Sequence, residues 1–282
     1  GGIVIGSTGD CTLNGQDTCW LYWKATDNSG NSDSGLLKSF DIDYVGPTLT
    51  QITAVPSPTS DTTPNYTFNS TEAGAITYGG DCSSATTSAV VGDNTITFDA
   101  LSQGTHSNCT ITVTDAIGNP SSPLSVNSFT IDATAPTVVN VSSDKANGSY
   151  TVGEVIDIDV TFSEAVTSTG NVTVTLETGT TDRACVFTVS GAVTGTCNYT
   201  VQVGDTSTDL TVASISGTIK DAALNTMTSF VPTTNLATNK AIVIDTVAPT
   251  VTAFSINGTS CSGSPCTATI TTNAAINIVW LA

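Results

Sequence analysis

Apolar and polar residues alternate with a period of two through most of this chain. The pattern is plain in Asn65-Tyr-Thr-Phe-Asn69, Ala75-Ile-Thr-Tyr78, Asn94-Thr-Ile-Thr-Phe98 and Cys109-Thr-Ile-Thr-Val113. It is clearest in Val155–Phe162, where Ile156, Ile158, Val160 and Phe162 share one face and Asp157, Asp159 and Thr161 the other. Such a period predicts strands with one buried face. Gly, Asn and Asp clusters between the runs supply turns. Cys109, Ile111 and Val113 share a face, so Cys109 points inward and can meet Cys82 across the core.

Three similar stretches punctuate the chain: Phe40-Asp-Ile-Asp43 leading to Pro47, Phe129-Thr-Ile-Asp132 leading to Pro136, and Ile242-Val-Ile-Asp245 leading to Pro249. Each is a short strand, then Asp, then a proline that ends sheet pairing. The prolines recur about a hundred residues apart, the span of one β-sandwich module. Four segments follow: 1–46, 47–134, 135–247 and 248–282.

Composition narrows the class. Charged residues are 11% of the chain, 24 acidic against 6 basic, with a formal charge of −18. Such a surface repels phosphate backbones and anionic lipid, so neither nucleic acid nor a membrane is an expected partner. The opening Gly1-Gly2, with neither Met nor signal peptide, reads as a processed product or part of a longer chain.

The eight cysteines fall two to a segment: Cys11 and Cys19, Cys82 and Cys109, Cys185 and Cys197, Cys261 and Cys266. Even numbers within each segment point to intradomain disulfides and an oxidising, extracellular compartment. Cys185 and Cys197 bracket Ser190–Gly195, which reads as a hairpin turn, so the pair is expected to staple adjacent strands. Zinc is disfavoured, because there is no CxxC and the single histidine, His106, has only Cys109 nearby.

A family resemblance rests on several motifs in order. Tyr150-Thr-Val-Gly153 runs into Val155–Phe162 and Ser163-Glu164-Ala165, followed by the loop Asp221-Ala-Ala-Leu-Asn225 and the ending Ile244-Asp245 to Pro249-Thr250. This resembles the bacterial Ig-like repeat modules of large surface proteins. Segment 47–134 resembles another subtype, through Thr59-Ser-Asp-Thr-Thr-Pro64, Tyr66 and Cys109–Asp115. The resemblance implies tandem Ig-like Greek-key sandwiches serving as spacer, stalk or fibre. It identifies no ligand.

The two outer segments read as halves of one module. Thr18–Asn31 matches Asn108–Asn119 with two extra residues, and Leu36–Asp43 matches Ser125–Asp132. Ala268–Ala282 lies over Tyr66–Gly80, which sets Trp280 over Tyr78. The chain thus carries a back half at 1–46 and a front half at 248–282, together close to one module in length. Each half would leave unpaired strand edges and an exposed apolar face. The expectation is that one copy's front half completes the next copy's back half, giving a head-to-tail homopolymer. Ile3, Val4, Ile5, Trp20, Trp23, Ile276, Ile278 and Trp280 are the expected contact residues. In the alternative, these residues are one period of a longer tandem chain, a cell-surface adhesin with a ligand or glycan.

Catalytic signals are weak, and an enzyme is not expected. Asp157/Asp159 and Asp41/Asp43 are carboxylates two apart on the solvent face of a strand, and His106 reads as a loop residue without a nucleophile. No cofactor is required. Calcium is the better chemical candidate, because hard oxygen donors recur near the module joints: Glu72 with Asp115 and Asn119, Glu164 with Asp221 and Asn225, and the linker residues Asp132 and Asp245. Eight Asn-x-Ser/Thr sequons, at Asn65, Asn69, Asn108, Asn140, Asn147, Asn171, Asn198 and Asn257, are candidate glycan acceptors. Trp20, Tyr22 and Trp23 could form a carbohydrate face, but large amphipathic rings more often pack in a core or interface.

Overall fold

In the computed structural model the described residues are nearly all β, with one four-residue helix, Leu236–Asn239. It describes residues 17–248, with three short strands beyond them. No helix among the described residues is long and apolar enough to cross a membrane. Two compact units emerge, 1–135 with 220–226, and 136–219 with 227–282.

The first unit opens with a hairpin of β1 (Asp17–Thr26) and β2 (Ser32–Ile42), a two-stranded antiparallel sheet. Nine strands follow: β3 (Leu49–Thr53), β4 (Asn65–Ser70), β5 (Gly74–Gly79), β6 (Ser88–Ala89), β7 (Gly92–Thr97), β8 (Gly104–His106), β9 (Thr110–Thr114), β10 (Leu124–Ser125) and β11 (Phe129–Ile131). They form sheets β10-β9-β5-β6, β3-β4-β7 and β11-β8. Inward residues from all three share one core: Tyr66 and Phe68 from β4, Ile96 from β7, Ile111 and Val113 from β9, and Phe129 and Ile131 from β11. Each such side chain contributes about 1.5–3 kcal/mol by leaving water. The Phe98 and Phe129 rings stack 6.3 Å apart.

The second unit contains β12 (Val138–Ser142), β13 (Gly148–Tyr150), β14 (Val155–Ser168), β15 (Val172–Leu176), β16 (Arg183–Phe187), β17 (Ala192–Thr200), β18 (Thr206–Ser207), β19 (Val212–Ser216), the Ile219 end of β20 (Ile219–Lys220) and β21 (Ile242–Asp245). Its main sheets are β12-β14-β17, β16-β15-β19 and β13-β21-β18. On β14, Ile156, Ile158, Val160 and Phe162 are buried against Val172, Val174 and Leu176 of β15 within one core. The opposite face of β14 carries Asp157 and Asp159. Asp157 accepts from the Asp144 backbone N–H at 2.6 Å, and Asp159 from the Thr196 hydroxyl at 2.6 Å. One carboxylate lies inside: Asp205 accepts from Arg183 Nε at 2.8 Å, the Tyr199 hydroxyl at 2.7 Å and the Gln202 N–H at 2.9 Å.

The disulfides Cys82–Cys109 and Cys185–Cys197 are formed, and Cys109 is buried with Ile111 and Val113 as the alternation implied, but the placement of each bond differs from expectation. Cys82 follows β5 and Cys109 precedes β9, so that bond closes the end of two neighbouring strands of one sheet. It does not cross the core. Cys185 lies on β16 and Cys197 on β17, which belong to different sheets, so this bond ties one sheet to the other. After Phe187 the chain passes to β14, whose Ser168 N–H donates to the Val189 carbonyl at 2.8 Å, instead of folding back as a hairpin. Phe187 packs onto the backbone of Gly195, where a Cβ would collide with its ring. This close approach brings the two strands within reach of a bond.

The last three strands, β22 (Phe254–Ile256), β23 (Thr259–Cys261) and β24 (Ile278–Trp280), form a small antiparallel sheet in the order β23-β22-β24. By sequence β22 corresponds to β3 and β24 to β5, yet in the first unit β3 and β5 belong to different sheets. An unpaired strand edge takes whichever edge is available.

Candidate functional site

Three five-residue loops of the form Asp-x-x-x-Asn share one geometry. They are Asp27–Asn31, Asp115–Asn119 and Asp221–Asn225. In each, the Asp N–H donates to the Asn carbonyl, at 2.9, 3.1 and 3.2 Å. The Asn N–H returns to Asp Oδ1 at 2.9, 2.8 and 2.8 Å, and Asn Nδ2 donates to Asp Oδ2 at 3.0, 2.8 and 2.8 Å. The fourth residue has positive φ: Gly30 at 89°, Gly118 at 104° and Leu224 at 70°. Glycine suits that conformation, whereas a leucine there is strained. Leu224 is also 69% exposed, so no packing offsets the strain. Leu224→Gly is therefore expected to stabilise the protein by about 0.5–1 kcal/mol, since the strain relieved exceeds glycine's extra freedom in the unfolded chain. Thermal unfolding checks this, and a lowered Tm contradicts it.

Two of the loops also grip a linker. Asn119 Nδ2 donates to the Asp43 carbonyl at 3.1 Å, and Asn225 Nδ2 to the Asp132 carbonyl at 2.8 Å. Each amide thus spends one hydrogen inside its loop and one on the linker. Gly46 lies so close to the Pro120 carbonyl that a Cβ there would collide with it. Beside this joint is a cleft of about 360 Å³ lined by Gly46–Leu49 and Pro120–Ser125, among which no side chain titrates.

Around the first joint, carboxylate oxygens of Asp43, Glu72 and Asp115 lie within 4.8 Å of one another. Burial pushes the Asp115 pKa upward, but hydrogen bonds from the Asn119 backbone and side chain and the Gly118 and Ile117 N–H groups outweigh it and leave it lowered. Burial, then the like charges of Asp43 and Asp115, raises that of Glu72. Asp43 is the member that sequence reasoning missed. Its signal was available, since Asp43 holds the place in the first linker that Asp132 holds in the second. Glu164 is half-buried on β14, and Asp245 is exposed at the end of β21. Asp144, Asp157 and Asp159 form another acidic group on the outer face of β14.

His106 is not a loop residue. It belongs to β8, is 5% exposed, and packs on Phe129 with centroids 5.5 Å apart. Its Nδ1 is 3.3 Å from Asp81 and its Nε2 2.9 Å from the Ser102 carbonyl. The three-residue strand is too short for alternation to reveal it.

Of the sequons, Asn65, Asn108, Asn147, Asn171 and Asn198 are exposed, and Asn69 and Asn140 half-buried. Asn108 is engaged at both ends, donating to Asp81 Oδ1 and accepting from the Asp81 N–H. A glycan on its Nδ2 would cost that contact. Ile3, Val4, Ile5, Cys11, Asn257, Cys266 and Ile276 lie outside the described residues, while Cys19, Trp20, Trp23, Cys261, Ile278 and Trp280 are described as backbone positions in strands. Neither a protein-family model nor a curated protein matches the chain.

Proposed function

We propose that the protein is an extracellular structural subunit, built from Ig-like sandwiches, whose successive copies join head to tail by completing a split module. One observation carries the reading. The β1–β2 hairpin has the loop and closing pair of β9–β10: Thr26 faces Ser32 as Thr114 faces Pro120. Yet β9 is flanked by β10 and β5, whereas among the described strands β1 pairs only with β2. Lys24 through Ser34 are all exposed, while the matching stretch buries Val113, Asp115 and Ser121. A lone two-stranded ribbon is marginal in water. In the reading, β24 of a neighbouring copy leaves β22 and pairs with β1 as β5 pairs with β9.

Negative-stain microscopy of the purified full chain is the test. The expected result is filaments with an axial repeat of roughly 100 Å or more, from sandwiches in series. Denaturing gels run with and without reductant should resolve them into 28.6 kDa chains. A dispersed monomer at every concentration contradicts the reading.

Calcium at Asp43, Glu72 and Asp115 is part of the proposal. Without metal, Glu72→Gln removes a repelled charge and is expected to raise Tm slightly above pH 5. The sign follows from the raised Glu72 pKa, which favours the folded state below the unfolded value near 4.3 and disfavours it as pH rises through the folded one. In millimolar calcium the order should reverse, because a bound cation stabilises only the intact carboxylate set. A wild-type Tm indifferent to calcium and chelator removes the ion.

A further inference from the structure

Each joint has a linker and a loop, and the described residues hold one unmatched copy of each. The three linkers share a local geometry: the Asp carboxylate accepts from the N–H two residues on, at Val45 (3.0 Å), Thr134 (3.1 Å) and Val247 (3.0 Å). The three loops share theirs as described. Two pairs are joined, Asp43 with Asn119 and Asp132 with Asn225. Among the described residues, the Asp27–Asn31 loop grips no linker, and no such loop grips the linker at Asp245. Exposure agrees: Asp115 and Asp221 are buried and their Asn partners half-buried, while Asp27, Asn31 and Asp245 are all exposed. Asn31 donates one amide hydrogen to Asp27, and no described residue accepts the other.

We infer that Asn31 of one copy clamps the Asp245 linker of the preceding copy, Nδ2 donating to the Asp245 carbonyl. Each joined loop takes the linker that leads into its own module. On the head-to-tail reading, the module whose back half contains Asp27–Asn31 is completed by a front half at 248–282, and the linker leading into that half is Asp245–Pro249. On the same reading, the occupant of the bare loop is a second copy of this chain. This rests on the head-to-tail reading and adds which surfaces meet and through which bond. Ala274 stands where the matching sequence has Glu72, so this joint lacks that carboxylate and relies on the amide clamp.

Hydrogen exchange on the full-length protein, assembled and dilute, tests the clamp. Amides of Asp27–Asn31 and Thr246–Val247 are expected to exchange at least tenfold slower in the assembled state. Asn31→Ala should lose protection at Thr246–Val247 and raise the half-assembly concentration about fivefold, the effect of one hydrogen bond. Asn119→Ala, which loosens an internal joint, should leave that concentration unchanged. If Asn31→Ala unfolds the hairpin, Asp245→Ala tests the linker side: the accepting carbonyl stays, but the carboxylate that orders the linker by accepting from the Val247 N–H is lost, so assembly should weaken too. Unchanged linker protection and midpoint in these variants overturn the clamp while the head-to-tail reading stands. Failure of the wild type to assemble overturns both.

Discussion

Replacing Asp205 with alanine is expected to lower the stability of the second unit by about 3 kcal/mol, the low end of the loss for breaking a buried charge pair, because the Arg183 side chain stays 26% exposed. Asp205 is 1% exposed and accepts from Arg183, Tyr199 and the Gln202 N–H, so the variant strands the guanidinium and the phenol that this carboxylate holds. Asp205→Asn keeps the shape but not the charge and should fall between. Urea unfolding followed by hydrogen exchange at β15 to β17 measures both; a loss below about 1 kcal/mol would show that water reaches the site. The same network sets a pH window. Burial raises the Asp205 pKa, but Tyr199, Gln202 and Arg183 outweigh it and leave it lowered. Its contribution is present above the unfolded value near 3.9 and is lost as pH falls through the folded one. Tyr199 is shifted upward, by burial first and then by Asp205. Its contribution is complete below pH 10 and fades as the solution becomes more alkaline. A stability plateau between about pH 5 and 9 is the expected profile, with an acid-side loss that Asp205→Ala reduces most and an alkaline loss that it reduces only in part, because burial comes first in the Tyr199 shift.

Removing the disulfides should cost about as much. Cys185 and Cys197 are 12 residues apart and Cys82 and Cys109 27 apart. Loop-closure entropy gives about 3 kcal/mol for the first and about 3.5 kcal/mol for the second. The double variants Cys185→Ala/Cys197→Ala and Cys82→Ala/Cys109→Ala, unfolded in denaturant, check both. Losses under 1 kcal/mol in either would mean that the reduced chain already keeps those segments together. The two should also differ in kind. Without Cys185–Cys197 the sheets β16-β15-β19 and β12-β14-β17 lose a tether between them, so exchange should rise along β16 and β17. Without Cys82–Cys109 the fraying should stay at the ends of β5 and β9.

The all-β character was legible because alternation is a local signal. Val155–Phe162 needs no partner to show which face is wet, and Ile156 through Phe162 are buried accordingly. Sheet membership was not legible. Ser190–Gly195 has the composition of a hairpin turn, but whether a chain pairs with itself there or crosses to the other sheet depends on Phe187 lying over Gly195, a contact between positions eight apart. The recurring Asp-x-x-x-Asn loops were visible, yet their action on the linker was not. Asn119 and Asp43 are 76 residues apart, and a backbone carbonyl as acceptor leaves no trace in residue identity. His106 escaped notice because three strand residues carry less than two periods of alternation. Leu224 is the reverse case, since its alignment with Gly30 and Gly118 marks it as strained from residue identity alone.

The two crosslinks also set how far the chain can be drawn out by a pulling force. Residues between bonded cysteines stay looped when the surrounding fold is torn open. An extended chain advances about 3.4 Å per residue, so the 27-residue loop withholds about 90 Å of contour length and the 12-residue loop about 40 Å. For an array under tension, oxidised subunits would yield in short steps and hold their span, while a reducing environment would release the hidden slack.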